Sequence, residues 1–195
     1  MSAGGAKLGP ADLVRLFFAL WPSAGEQRAL AQATASAVAA SDGRPIAAGN
    51  LHVTLAFLGS VGRARLDVLR ALAREEVRAG APVHLRFETL QHWRRPRILC
   101  ATAAAAAVEA SGAAVLAARI RTAVLAGGFS PDLKPFHAHV TVARKVARAP
   151  AQQAMAPVSW HCTAFALVMS TTGPGGSVYS VVETYPLDGS ENAHK

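Results

Sequence analysis

The residues whose types and spacing could do chemistry stand in two copies of one pattern, His52-Val53-Thr54-Leu55 and His139-Val140-Thr141-Val142. Side chains at i and i+2 of a strand share a face, so each copy presents an imidazole beside a hydroxyl and turns its apolar residues the other way. Histidine titrates near neutrality, which lets one imidazole remove a proton while a second supplies one at the same pH. Phosphodiester hydrolysis needs that division: a base for the attacking nucleophile and an acid for the leaving oxygen. The hydroxyls of Thr54 and Thr141 would donate to non-bridging oxygens, where charge accumulates in the transition state. Such a reaction needs neither metal nor cofactor.

In the first copy, Leu51, Val53, Leu55 and Phe57 alternate with His52, Thr54 and Ala56, which predicts one apolar face and one face holding only the polar pair and a small residue. In the second, His137, His139 and Thr141 share a face, with Ala138, Val140 and Val142 on the other. Given ten Thr and seven His in the chain, two such copies with apolar second and fourth positions arise by chance with a probability of about 0.004. A His137-His139 metal pair lacks acidic neighbours of suitable spacing. Cys100 and Cys162, each inside an apolar run, are too few and wrongly spaced for a disulfide framework or a thiolate metal site.

Strands must carry these motifs, and the pattern predicts seven: Leu13 to Trp21, Leu51 to Gly59, Val83 to Trp93, Arg97 to Thr102, His137 to Lys145, Val158 to Ser170 and Ser177 to Tyr185. A helix begins near Ser23, where Ser23-Ala24-Gly25-Glu26 has the capping-box spacing, and runs to Ala40. A second spans about Arg63 to Ala79, with Leu66, Leu69, Leu72 and Ala73 on one side, closed by Gly80 and Pro82. A third, about Val108 to Ala126, keeps Val115, Leu116, Ile120 and Val124 near helical spacing and ends at Gly127-Gly128. The order β-α-β-α-β-β-α-β-β-β places a helix before each motif strand. It suggests an internal duplication, one motif strand in each of two lobes with helices on the outer faces. Ala147 to Pro157 reads as a loop.

A chain of 195 residues, 51% apolar with a mean hydropathy of +0.24, is long enough to bury a real core. Its net charge of +8 and pI of about 10.5 suit anionic partners such as RNA or nucleotides, although an Arg-rich composition gives that charge anyway. The apolar run Leu13 to Trp21 is too short to span a bilayer and is interrupted by Arg15, so no membrane anchor is expected. Residues 1–10 read as flexible, and the two unpaired cysteines fit a reducing cytoplasm.

Together these residues resemble the 2H phosphoesterase superfamily, and within it the RNA 2′,3′-cyclic phosphodiesterases, historically called 2′-5′ RNA ligases. Arg15-Leu16-Phe17-Phe18-Ala19-Leu20-Trp21-Pro22 is similar to that family's first strand, Asn50 to Gly59 to its first motif block and Pro135 to Arg144 to its second. Arg94 to Leu99 resembles a segment common between the motifs, and Val182-Glu183-Thr184-Tyr185-Pro186-Leu187 its final strand. The resemblance covers nearly the whole chain; Val142 stands where many relatives have Leu, a small change on the core face. It implies an α+β, bilobal, pseudo-symmetric fold of two antiparallel sheets facing a central groove. Residues 1–195 would form one domain of two intertwined lobes, with the motifs at 52–55 and 139–142. By the family's pattern His52 is the proton donor to the leaving 3′ oxygen, His139 the acceptor that activates water, and the product a terminal 2′-phosphate. The residues alone leave open which histidine is the acid.

Around the motifs, Phe18, Trp21, Phe57 and Phe136 could stack on a base, Arg144 could contact phosphate, His137 could form part of the groove wall, and Arg94, Arg95 and Arg97 could line an approach for RNA. His84, His92, His161 and His194 have no motif context. A cytoplasmic monomer without an obligate protein partner is expected, acting on RNA or nucleotides that carry a 2′,3′-cyclic phosphate. Reversible 2′-5′ ligation at the same site, and an RNA-binding module without turnover, are the alternatives.

Overall fold

Among the described residues nine strands form two sheets. The computed structural model describes residues 12–77, 80–149, 151–173 and 176–187; the segment 1–10, expected to be flexible, lies outside them. The strands are β1 (Leu13–Leu20), β2 (Arg44–Pro45), β3 (Val53–Gly62), β4 (Val83–Trp93), β5 (Ile98–Ala103), β6 (His139–Arg144), β7 (Gln152–Cys162), β8 (Ala164–Gly173) and β9 (Gly176–Pro186). One sheet has the order β3-β1-β8-β9 and the other β2-β6-β5-β4-β7. Every ladder among the described residues is antiparallel. Each sheet holds one motif strand, and these strands, β3 and β6, approach each other across the molecule. The fold is the expected α+β architecture of two antiparallel sheets.

The helices are α1 (Ala24–Ala40), α2 (Leu66–Val77), α3 (Ala105–Ala110) and α4 (Ala113–Ala126). Helix α1 leaves the first sheet yet packs against β7 and β6 of the second, while α2 and α4 pack on each other and on β9 and β3 of the first. This crossing of chain between sheets joins the buried side chains of both into one core, from Leu16 and Leu55 to Phe87 and Trp160. The predicted cap is present: Ser23 N–H donates to Glu26 Oε2 at 2.8 Å and Glu26 N–H to Ser23 Oγ at 3.3 Å.

Three expectations change. Val158 to Ser170 is not one strand: β7 ends at Cys162, and Thr163 turns the chain from the second sheet into the first. The segment Ala147 to Pro157 is only partly loop, because Gln152 to Ala154 pair with Gln91, Leu90 and Thr89. Its Gln and Ala residues are weak strand formers, so pairing with the open edge of β4 decides the structure. Pro157 sits where that register shifts, on an edge strand, as its missing N–H requires. The third helix is broken at Gly112, whose φ of 73° interrupts it and starts α4 afresh. Val115 is consequently 60% exposed, and Ala113, Leu116, Ala117, Ile120 and Val124 form the buried face.

Because α1 reaches the second sheet from a start fixed by Ser23, the variant Ser23→Ala is expected to lose about 1 kcal/mol of unfolding free energy. Urea denaturation measures it, and an unchanged midpoint would show that packing alone fixes the helix start.

Candidate active site

His52 lies directly before Val53, which pairs with Leu20, and His139 is the first residue of β6, opposite Thr102. Each imidazole is therefore set where a strand emerges from a loop. Both are held alike: His52 Nδ1 lies 2.7 Å from the carbonyl oxygen of Asn50, and His139 Nδ1 lies 2.8 Å from that of His137. A carbonyl can only accept, so Nδ1 carries the proton of each neutral ring and Nε2 is left for substrate.

The segments that carry these two carbonyls are themselves braced by bonds to neighbouring carbonyls. Asn50 belongs to a 3₁₀ turn over Ala48–Asn50, and buried Gln27 of α1 donates from Nε2 to the carbonyls of Gly49 at 3.2 Å and Leu51 at 3.1 Å. On the other side, the Arg121 guanidinium donates to the carbonyls of Leu55 at 3.2 Å and Lys134 at 2.8 Å, tying β3 to the loop that precedes His139.

Strand β3 departs from simple alternation. Ala19 pairs with Thr54 but Phe18 pairs with Ala56, so Leu55 is an extra, bulged residue whose carbonyl Arg121 takes up. Leu55 and Ala56 both enter the core, and Phe57, expected on the apolar face, turns into the groove and is 36% exposed. Arg15 lies over its ring at 5.4 Å.

Both histidines and both threonines line one cavity of about 530 Å³. Arg15, Arg95, Lys134 and Arg144 border it, and no carboxylate among the described residues does, so the space is built for an anion. His52 stacks on Phe17 (4.9 Å between centroids) and Trp21 (5.4 Å) and meets the edge of Tyr179 (5.2 Å). His139 meets Trp93 at 4.5 Å. Burial, followed by the charges of His139 and Arg144, pushes the His52 pKa down to about 4 despite the opposing bond to Asn50. Burial, with the charge of His137, also lowers that of His139. Behind Thr141, the Cys100 sulfur lies 3.9 Å from its hydroxyl; burial pushes that thiol up to about 12, so it stays uncharged.

The remaining expected residues scatter. Arg144 lines the cavity. His137 lines a flanking recess of about 350 Å³ with Phe57, Trp93 and Lys134, and its carbonyl is what orients His139. Phe136 is half-buried against the core and lines a further recess beyond His137. Phe18 is a correction: it is fully buried between Phe165 and Tyr185 and cannot meet a ligand. Its neighbour Phe17 takes the groove face. Arg15 points to this, since residues 15, 17, 19 and 21 share one side of β1 and Arg15 marks it as the polar side. Nothing local in the sequence marks Trp93, Lys134 or Tyr179, which reach the cavity from β4, a loop and β9. Arg95 lines the cavity and Arg94 does not. His84 and His161 stack on each other at 4.0 Å, His92 lies in a separate recess, and His194 lies outside the described residues. Among the described residues no group of three or more His, Cys, Asp or Glu is placed to hold a metal ion.

Comparison with known proteins agrees with this fold. A family profile described as the 2′-5′ RNA ligase superfamily matches residues 21–174. The chain is 32% identical to the RNA 2′,3′-cyclic phosphodiesterase of Thermus thermophilus, over 90% of this chain and 91% of that one. It is 29% identical to the protein of the same name from Escherichia coli, over 89% and 96%. The crystal structure of E. coli LigT in apo form superposes with a TM-score of 0.77 at 28% identity, covering 91% of this chain and 99% of that one.

The lowered His52 pKa has a consequence for folding. Unfolded, the imidazole takes up a proton near pH 6.5; folded, it does so only near 4. Between those values the unfolded state binds the extra proton, so the stability His52 contributes is complete above about 6.5 and is lost as pH falls toward 4, by on the order of 2 kcal/mol. Denaturant midpoints at about pH 7.5 and about pH 4.5 should therefore differ less in His52→Gln than in the wild type. Equal acid sensitivity would place the His52 pKa near its ordinary value.

Proposed function

We propose that this chain, which belongs to the 2′-5′ RNA ligase superfamily, hydrolyses 2′,3′-cyclic phosphates at RNA ends to a terminal 2′-phosphate. The observation that carries the reading is the pair of identically clamped imidazoles, with Nε2 free on each, in one cation-bordered cavity. The names of the Thermus and E. coli relatives support the same substrate.

In the reaction, neutral His139 accepts a proton from water at Nε2 as the water oxygen bonds to phosphorus. The bond from phosphorus to the 3′ oxygen breaks, and His52 gives that oxygen its Nε2 proton. The ring is left with 2′-phosphate and 3′-hydroxyl. Thr54 and Thr141 donate to the two non-bridging oxygens, and Arg144 adds positive charge beside them. The lowered pKa values bear on the roles. Both rings are neutral in the free protein near pH 7, and the bound phosphate anion favours protonation of His52. An imidazolium whose intrinsic pKa is low is also a stronger acid toward the departing alkoxide. The reading includes a cytoplasmic monomer working without metal or cofactor; no helix of the described residues is long and apolar enough to cross a membrane.

Two measurements test it on nucleoside 2′,3′-cyclic phosphates. His52→Ala and His139→Ala should each lower kcat/KM by about three orders of magnitude while keeping the wild-type circular dichroism, with wild-type activity persisting in EDTA. Full activity in either variant would sink the two-histidine mechanism, and a 3′-phosphate product would reverse its polarity. The pH dependence of kcat/KM reports the free enzyme. Since the reaction needs one protonated and one neutral imidazole and both pKa values are lowered, kcat/KM should be greatest on the acid side of 6.5 and fall as pH rises through neutrality. A profile that climbs between about pH 7 and 9 contradicts it.

A further inference from the structure

A second recess, of about 740 Å³, opens directly off the catalytic cavity and shares Ile46, Asn50, Pro96, Arg144 and Tyr179 with it as common walls. Its own lining adds Arg44, Arg97 and Lys145, and no carboxylate among the described residues. Arg44 and Arg144 are direct partners across the β2–β6 ladder. The other two cations are held close by a reciprocal tie: Val146 N–H donates to the Arg97 carbonyl at 3.0 Å, and Arg97 Nε donates to the Val146 carbonyl at 3.2 Å. Arg97 and Lys145 both have left-handed backbone, with φ of 65° and 56°, uncommon for residues with a side chain.

The opposite flank differs in size and charge. That recess, about 350 Å³, contains Asp132, which pairs with Lys134 at 3.2 Å, and Arg121, which like Arg97 donates to backbone carbonyls. It also offers Phe57 and Trp93, aromatic faces suited to a base. One side of the phosphate site is therefore aromatic and nearly charge-balanced, the other wide and strongly cationic.

We propose that the cationic recess takes the nucleotide on the 5′ side of the cyclic-phosphate terminus, with the linking phosphate among Arg44, Arg97 and Lys145. The protein then prefers RNA chain ends to mononucleotides. The terminal base lies on the other flank, between Phe57 and Trp93. Phosphate contacts of this kind position a strand without reading its sequence, so the preference is for length and not for base. A volume of about 740 Å³ falls in the usual range of small-ligand sites, roughly 300 to 1,000 Å³. The inference rests on the hydrolase reading above.

The test compares cytidine 2′,3′-cyclic phosphate with a trinucleotide ending in the same group, in the wild type and in Arg44→Gln/Lys145→Gln. The wild-type KM should be on the order of tenfold lower for the trinucleotide and should rise more steeply with salt, by about 0.7 in log-log slope for each additional phosphate neutralised. The double variant should bring the trinucleotide KM close to that of the mononucleotide, leaving kcat and mononucleotide KM within about twofold of wild type. Equal KM values and equal salt slopes in the wild type overturn the inference without needing any variant to fold. So does a selective loss for the trinucleotide in Lys134→Gln but not in the double variant, which would send the chain along the other flank. Fluorescence anisotropy of a labelled trinucleotide 3′-phosphate reads the recess independently of turnover. Tight, salt-sensitive binding that the double variant weakens, with no turnover of either cyclic substrate, would overturn the hydrolase reading and leave the recess assignment standing.

Discussion

The two bonds from imidazole Nδ1 to a carbonyl two residues earlier constrain everything else at the site. Without them either ring could flip or change tautomer, and Nε2 would not be reliably available as a donor or acceptor. Neither bond depends on a second side chain at the site. Each uses the backbone just before the strand, so holding the imidazole reduces to holding a loop carbonyl. Gln27 does this for the turn before His52, and Gln27 is itself placed by a helix that starts at Ser23 and lies on the opposite sheet. Arg121 does it from α4 for the loop before His139 while also closing the bulge in β3. The crossing of helices between sheets is thus more than a way of covering the core, because each motif is steadied by an element outside its own sheet.

Electrostatics then separates two motifs that look alike. His52 is surrounded by Phe17, Trp21 and Tyr179, part of a small apolar cluster on the groove face of the first sheet, whereas His139 has Trp93 on one side and the exposed His137 nearby. Apolar rings cannot solvate an imidazolium, so the more enclosed ring is the one driven to about 4. Cations around the cavity push the same way. Positive charge that disfavours a protonated histidine also attracts the anion that restores it, which couples protonation to anion binding.

Much of this is legible in the residues, for identifiable reasons. Period-two patterning finds the motif strands and the pair of faces, and the Ser23 cap follows from spacing alone. What escapes depends on tertiary partners. The bulge at Leu55 has no local signal, since Leu-Ala-Phe-Leu fits either face of a strand, and only pairing with Phe18 and Ala19 shows which residue is extra. Phe17 and Phe18 are adjacent in a run buried on both sides, so choosing the groove face requires Arg15 as a parity marker. The start of β7 carries no strand signal because an Ala- and Gln-rich segment becomes a strand only against the edge of β4. Trp93, Lys134 and Tyr179 meet at the cavity through folding and nothing in their own neighbourhoods announces it.

The repeat therefore supplies two equivalent reagents, and the asymmetry of their surroundings makes them complementary. A symmetric pair would hold its protons equally and have no preferred direction for the reaction. Here the ring of His52 sits among three aromatic side chains, with its pKa pushed down to about 4, while that of His139 meets only Trp93. The cationic recess extends the same asymmetry along the groove, with Arg44, Arg97 and Lys145 beyond Arg144 on one side of the phosphate and Phe57 and Trp93 on the other. A substrate that is anionic along one arm and aromatic at the other can lie in that groove in only one direction. In the proposed reaction that direction decides which oxygen faces His52, so the charge pattern of the flanks and the acid–base assignment of the two histidines stand or fall as one orientation.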